Sequence, residues 1–239
     1  MIDALRGVVV RATSPLVWRW PGHAPRKLEA FARAEEGSRL DLMAAAHATP
    51  SLARRARYLR HALDETRHAA MFTRRARELR ASAGLAPCGP PRADTEELFA
   101  RLGELGFLAF VHLGEQRGRK QFEVYAAHFA RRGDARTQAM FDGILVDERE
   151  HEGYTHALLV ELAGADGARQ ALRRARWWSA WRGWRRAGRA ITHALYAVLM
   201  MALYLIMAPL AWLPLKLRGR AARRRWTLDA PPPPSSPRS

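Results

Sequence analysis

The chain has 239 residues, of which 48% are hydrophobic, and a formal net charge of +17. This length allows one domain with a sizeable core and an additional segment. The single cysteine, Cys88, excludes an internal disulfide and any Cys-x-x-Cys metal site. The first element, residues 1–25, contains Pro15, Pro21 and Gly22 and is predicted to be irregular. Its apolar run is too short for a signal peptide, so no secretion signal is expected.

Four helical segments follow between residues 26 and 164. They are predicted at about 26–47, 51–82, 94–131 and 135–162. Ser51 is the expected N-terminal cap of the second helix, and Asp94 or Thr95 opens the third. The sequence has no alternating β pattern of useful length. We therefore predict an all-α fold in which residues 26–164 form a four-helix bundle.

Two of these helices contain the same short motif, D-E-x-x-H, at residues 64–68 and 147–151. A glutamate and a histidine three positions apart lie on one face of a helix, so both can reach one metal ion. The motif residues also interrupt apolar stripes, where a buried charge needs compensation such as metal coordination. Carboxylate oxygen and imidazole nitrogen suit iron or manganese, and zinc less exclusively.

Each motif helix follows a helix that offers one further carboxylate. Glu115 lies on the apolar stripe of the third helix. In the first helix the choice is between Glu35 and Glu36, and both have apolar neighbours one turn away. The run that begins at Glu35 matches the run that begins at Glu115 as E-x-x-small-R, which favours Glu35. The pattern indicates an internal duplication of a helix with Glu followed by a helix with D-E-x-x-H.

These residues resemble the motifs of the ferritin-like di-iron carboxylate superfamily, which includes rubrerythrin-like proteins and oxygen-activating hydroxylases and desaturases. The resemblance covers about residues 26–163 and implies two iron ions, with manganese as the other candidate. The ligands that it implies are Glu35, Glu65, His68, Glu115, Glu148 and His151, with Glu36 as the alternative to Glu35. It also implies that Asp64 and Asp147 orient the ligating histidines. The form D-E-x-R-H at residues 64–68 is similar to the hydroxylase and desaturase motif, whereas the second copy has Glu150 at the arginine position.

Two other histidines lie near the implied ligands. His112 precedes Glu115 by three residues, and His61 precedes Glu65 by one helical turn. Each could be a hydrogen-bond partner of a ligand or a further ligand. A histidine on an apolar face is more often hydrogen-bonded inside the core. Both alternatives stay open at this point.

The last part of the chain has a different composition. Residues 171–239 carry 14 basic side chains and one acidic, against 26 basic and 22 acidic in residues 1–170. Residues 171–189 interleave arginine with tryptophan and are predicted to form an amphipathic interfacial helix. Residues 190–215 carry no formal charge and are long enough to span a membrane. Residues 216–239 are predicted to be a basic, proline-rich, disordered tail.

Arginine with tryptophan would also suit a nucleic-acid surface, but the uncharged stretch that follows favours membrane lipid, and no nucleic-acid partner is expected. Basic residues flank both ends of that stretch, so a single span and a monotopic insertion remain open. Without a signal peptide, the bundle is expected on the cytoplasmic side. These features predict a membrane-associated protein.

The predicted function is an oxygen-dependent di-iron oxidoreductase that hydroxylates or desaturates a lipid-soluble substrate, with electrons from a donor that the sequence does not identify. The alternatives are a membrane-tethered ferroxidase or iron-handling protein, a rubrerythrin-like peroxide-reducing protein, and a bundle that keeps the metal for structure. An oxygenase is expected to have an apolar pocket beside the ligands, lined by residues such as Leu108, Phe122 and Ile144. A ferroxidase is expected to have a polar, acid-lined path.

Overall fold

A computed structural model describes residues 22–228, and all the regular secondary structure in this range is helical. The all-α prediction is therefore confirmed. The helices are α1 (His23–Ala48), α2 (Leu52–Ser82), α3 (Leu98–Arg131) and α4 (Ala135–Leu228). Most of the predicted irregular segment 1–25 and the last eleven residues of the predicted tail lie outside the described residues.

Local side-chain contacts explain where these helices begin. The Ser51 hydroxyl accepts a hydrogen bond from the Arg54 backbone N–H, as expected of an N-terminal cap. The third helix begins at Leu98, later than the prediction of Asp94 or Thr95. The Asp41 carboxylate on α1 binds the Thr95 hydroxyl (2.8 Å) and the backbone N–H of Glu96 (3.1 Å), which holds these residues outside the helix.

Two glycines interrupt the long helices. Gly103 in α3 and Gly164 in α4 have positive φ angles of 68° and 67°, a conformation that residues with a Cβ rarely adopt. The break at Gly164 coincides with the predicted end of the four-helix segment. The helix resumes after it, and the chain divides into two compact units, one up to Ser179 and one from Ala180.

The buried apolar residues of the first unit form two clusters, and each cluster receives side chains from all four helices. The aromatic cluster includes Leu28, Phe31, Phe72, Ala76, Phe122, Phe129, Phe141 and Ile144. The mixed cluster includes Leu42, Tyr58, Ala62, Phe107, Leu108, Leu158 and Leu159. Along every helix, the residues between the two clusters include a buried glutamate, and on α2 and α4 they also include the motif histidine.

The order of the clusters gives the direction of each helix. Helices α1 and α4 run from the aromatic cluster to the mixed cluster, whereas α2 and α3 run the opposite way. The connection between α2 and α3 therefore has to return along the length of the helices. It follows α1, because Arg80 in the last turn of α2 pairs with Glu29 (2.9 Å) and Thr95 near the end of the connection binds Asp41.

The first unit extends further than predicted. Residues from 171 onward were assigned by composition to a separate interfacial helix, but Ala171 and Ala175 are buried in the mixed cluster together with Ala168. Trp178 packs edge-on against Phe110, with ring centroids 5.4 Å apart. Small residues at helical spacing allow this close approach, a signal that the arginine and tryptophan content conceals.

The second unit contains the hydrophobic segment. Within the described residues, one stretch, Ile191–Leu210, is long and apolar enough to cross a membrane, with a mean hydropathy of 1.9. None of this stretch is buried by the described residues. The helix continues to Leu228 and so enters the predicted disordered tail, because the Arg, Leu and Ala residues there favour helix.

Candidate metal centre

The six residues that the sequence implies as ligands lie in one buried layer between the two apolar clusters. Their exposure ranges from 0% for His68 to 8% for Glu35. Helix α1 positions Glu35, α2 positions Glu65 and His68, α3 positions Glu115, and α4 positions Glu148 and His151. A layer of four carboxyl groups inside an apolar core is costly unless cations compensate it.

Ligand atoms in this layer form two groups that each could hold a metal ion. The atoms of Glu35, Glu65 and His68 lie within 4.8 Å of one another. The atoms of His61, Glu65, Glu115 and His151 also lie within 4.8 Å of one another. Glu65 belongs to both groups, so its carboxylate is placed to serve two adjacent positions.

Each motif aspartate contacts the histidine of the other motif. His68 Nε2 lies 3.0 Å from Asp147 Oδ2, and His151 Nε2 lies 3.2 Å from Asp64 Oδ2. The other ring nitrogen of both histidines, Nδ1, is buried and has no hydrogen-bond partner among the described residues. Each Nδ1 instead faces a buried carboxylate, His151 facing Glu115 at 3.6 Å and His68 facing Glu148 at 3.8 Å. A histidine held at one nitrogen, with the other nitrogen turned towards buried carboxylates, is arranged as a metal ligand.

Arg67 joins the two aspartates on the protein surface. Its Nη2 lies 2.7 Å from Asp147 and 3.0 Å from Asp64. The arginine of the first motif therefore supports both halves of the site. Glu150, which replaces it in the second motif, instead pairs with Arg60 at 3.2 Å, and both side chains are largely exposed.

The buried carboxyl groups have unequal affinities for protons. Burial raises the pKa of Glu35, Glu65 and Glu148, the last to about 11, and the neighbouring carboxylates raise these values further. Burial also favours the neutral form of Glu115, but the His61 and His151 rings outweigh this effect and lower its pKa.

The residues present fit a pair of metal ions. Glu65 Oε2 is buried without a hydrogen-bond partner in the described part of the chain, as are the two Nδ1 atoms. Divalent cations would bind these atoms and offset the charge of the carboxylates. Carboxylate and imidazole donors are the ligands that iron and manganese share.

The structure separates Glu35 from Glu36. Glu35 is buried within the first group of ligand atoms, whereas Glu36 is partly exposed and bound by the Arg39 guanidinium at 2.6 Å and 2.9 Å. Glu36 is thus occupied by an ordinary helix ion pair, and this placement favours Glu35 as the ligand.

Gly118 makes room for the Glu148 carboxylate. A Cβ atom on Gly118 would lie 3.0 Å from Glu148 Oε2, which is closer than ordinary van der Waals contact. The small residue of the E-x-x-small-R pattern therefore has a steric role on α3.

The sequence does not decide the roles of His112 and His61, and the structure places them in different surroundings. His112 is outside both groups, and its Nδ1 lies 3.1 Å from Thr155 Oγ1 and 3.2 Å from the Glu152 carbonyl. His61 is inside the second group, and its Nδ1 lies 2.5 Å from the hydroxyl of Tyr154. Burial lowers the pKa of His61 to about 4, so its ring is neutral at neutral pH. The pairing with Tyr154 was not predicted, because the two residues are far apart in sequence.

A cleft of about 420 Å³ opens beside the second group, between α2 and α4. Its walls include His61, His151 and Tyr154 as well as the charged residues Arg60 and Glu150. The residues expected to line an apolar pocket, Leu108, Phe122 and Ile144, are instead fully packed in the core. The described opening beside the ligands therefore combines charged side chains with apolar surface from other residues.

Comparisons of the chain with protein-family models, curated proteins and solved structures find no match.

Proposed function

We propose that the protein is a di-iron oxidoreductase of the ferritin-like class, held at a membrane, that uses oxygen to hydroxylate or desaturate a lipid-soluble substrate. The observation that carries this proposal is the pair of buried ligand groups that share Glu65. The two groups contain Glu35, Glu65 and Glu115, and Glu148 lies in the same buried layer outside both groups. Adjacent positions that share a carboxylate and take histidines from two repeated motifs are typical of carboxylate-bridged metal pairs.

The helix directions support the ferritin-like part of the proposal. A four-helix bundle of this class has one long crossover connection. Residues 83–97 are the corresponding connection here, because they join two helices that run in the same direction. Three equally short connections would instead suit a simple up-and-down bundle.

The protein side of the proposed chemistry follows from the buried layer. A bound pair of ferrous ions supplies electrons to oxygen. Glu65, Glu115 and the histidine Nδ1 atoms would hold the ions, and Asp64 and Asp147 would keep the rings oriented. The apolar clusters on both sides of the layer limit the access of water. The single cysteine of this sequence provides no Cys-x-x-Cys iron centre as a source of electrons.

The second unit supports the membrane part of the proposal. Ile191–Leu210 exposes its apolar side chains, and Trp181 and Trp184 before it are also exposed. Tryptophan with arginine at the start of an apolar segment suits an interface with anionic lipid. We propose a cytoplasmic position for the metal-binding unit, which would give it access to lipid-soluble substrates.

A test of the reaction uses the full-length protein in detergent, reconstituted with ferrous iron. We expect about two iron ions per chain. Reduced protein is mixed with oxygen in the presence of a membrane lipid extract, and mass spectrometry follows the lipids. An added oxygen atom or a lost pair of hydrogens on a lipid supports the proposal. The matched controls are Glu65→Ala, which should lose the metal, and Glu36→Ala, which should keep it.

The acidic residues of the cleft favour a second candidate, a membrane-tethered ferroxidase. Asp64 and Glu150 line the cleft, so it offers carboxylates along a path to the second ligand group. In the same experiment a ferroxidase would oxidise many equivalents of added ferrous iron and leave every lipid unchanged. Glu150→Gln should then slow iron oxidation. Multiple turnovers of iron with no lipid product would replace the oxygenase proposal with this one.

The membrane attachment has its own test. The full-length chain should sediment with membranes and require detergent, because the apolar segment is exposed. A chain that ends after Ser179, where the first unit ends, should be soluble and still bind about two metal ions. Soluble full-length protein at both low and high salt would contradict the membrane assignment.

A further inference from the structure

The two motif helices differ at one position that faces the ligands. When Glu65 is aligned with Glu148, the residue four positions earlier is His61 in α2 and Ile144 in α4. Both are buried, but Ile144 packs in the aromatic cluster whereas His61 belongs to the second ligand group. The duplication therefore supplies an additional imidazole on one side only.

His61 is aimed at two carboxylates of that group. Its Nε2 lies 2.8 Å from Glu65 Oε1 and 3.5 Å from Glu115 Oε1. Its ring lies against the ring of His151, with centroids 3.6 Å apart and an angle of 30° between the planes. An ion bound by Glu115 and His151 would therefore be within reach of His61 Nε2.

A second departure from the repeat holds this ring in place. The residue three positions after the motif histidine is Met71 in α2 and Tyr154 in α4. The Tyr154 hydroxyl lies 2.5 Å from His61 Nδ1. The two residues that break the repeat thus contact each other across the helix pair.

We propose that His61 is a third imidazole ligand, which binds through Nε2 the same metal ion as Glu115 and His151. This inference rests on the proposed di-metal site. It makes the two positions unequal, because one receives two imidazoles and the other receives His68 alone. The position with two imidazoles binds a divalent ion more tightly and fills first.

Tyr154 is the positioning residue for this ligand. When Nε2 binds a metal ion, the ring proton resides on Nδ1 and is donated to the Tyr154 hydroxyl oxygen. Removal of the hydroxyl leaves the imidazole in place but releases its orientation. Loss of such a partner typically lowers metal affinity by about 10- to 100-fold.

The experiment adds one equivalent of Mn²⁺ to full-length, metal-free protein in detergent. Pulsed electron paramagnetic resonance counts the imidazole nitrogens bound to the ion, and calorimetry gives its affinity. We expect two imidazoles in the natural protein and one in His61→Gln, whose amide can still donate a hydrogen bond to Glu65. Tyr154→Phe should keep two imidazoles and bind Mn²⁺ about 10-fold more weakly.

The controls are His112→Gln, a buried histidine outside both ligand groups, and Tyr58→Phe, whose hydroxyl binds Glu104 away from the site. Both should behave as the natural protein. One imidazole in the natural protein, or the same count and affinity in His61→Gln, would overturn the assignment of His61 and leave the di-metal site standing. Absence of Mn²⁺ and Fe²⁺ binding by the natural protein would overturn both.

Discussion

The two D-E-x-x-H motifs share Asp, Glu and His, but their histidines have different surroundings in the site. The aspartate of each motif contacts the histidine of the other, so neither copy is complete alone. Burial lowers the pKa of His68. Burial acts in the same direction on His151, but its contacts with Glu115 and Asp64 outweigh burial and raise the pKa.

This difference shows which positions of a repeat can diverge. The glutamate and histidine that face the buried layer are the same in both copies, whereas the flanking positions differ, as His61 with Ile144 and Arg67 with Glu150. Divergence at these flanking positions changes hydrogen bonding and charge around the layer while the shared donor set is retained. The dependence of the two halves on each other can be measured with variants of the shared and the divergent residues.

The largest effect is expected at the residue that both ligand groups share. Glu65→Ala should reduce bound iron from about two ions per chain to less than one, because each group loses a carboxylate. The metal-free variant should remain folded, since it loses a buried carboxyl group whose ionisation is unfavourable. Elemental analysis and circular dichroism measure the two quantities. Retention of two ions would show that the halves do not share Glu65.

The crossed contacts predict which residues are energetically coupled. Asp64→Ala should weaken the binding of one metal ion by about 10- to 100-fold, because it releases His151. In a double variant, Asp64→Ala should reduce metal affinity little beyond the effect of His151→Ala. Combined with His68→Ala, it should reduce metal affinity by its full effect. Double-mutant cycles on metal affinity test this. Coupling of Asp64 to His68 would contradict the crossed arrangement.

Metal-free protein should lose stability as the pH rises above about 6.5. The raised pKa values mean that Glu35, Glu65 and Glu148 retain protons in the folded state that the unfolded chain releases, so each group lowers stability as the pH rises, by at most about 1.4 kcal/mol per pH unit. Below pH 6.5, the lowered pKa values of His61 and His68 act in the opposite direction, because the unfolded chain takes up protons there.

Chemical denaturation at pH 6.5, 7.5 and 8.5 measures this slope. Glu148→Gln, which mimics the protonated carboxyl group, should reduce it. Bound metal should remove it, because the carboxylates then ionise in the folded state as well. Stability that stays constant or rises over this range without metal would be inconsistent with protonated buried carboxyl groups.

The smallest effect is expected from the space beside Glu148. Gly118→Ala should weaken metal binding by about tenfold, because the added methyl group displaces the Glu148 carboxylate. Gly114→Ala, one turn earlier on α3, is the matched control, since its methyl group meets no other atom within 4 Å in the described part of the protein. Calorimetric titration of the two variants compares them. Equal affinities would indicate that Glu148 moves aside without cost.

The amino-acid sequence by itself was sufficient for the helical fold, because the helix spacing of apolar residues and the breaks at proline and glycine are local signals. The duplicated motif likewise identified Glu65, His68, Glu148 and His151 as residues that share helix faces. Local spacing could not distinguish Glu35 from Glu36, since both have apolar neighbours one turn away.

Only the tertiary structure decided how these local elements meet. The crossed contacts of Asp64 and Asp147, the pairing of His61 with Tyr154, and the return of residues 83–97 along α1 all join residues far apart in sequence. The placement of Ala171 and Ala175 in the core also depended on a groove that other helices form. Helix periodicity determines which side chains share a face, whereas the packing of several helices determines which faces come together.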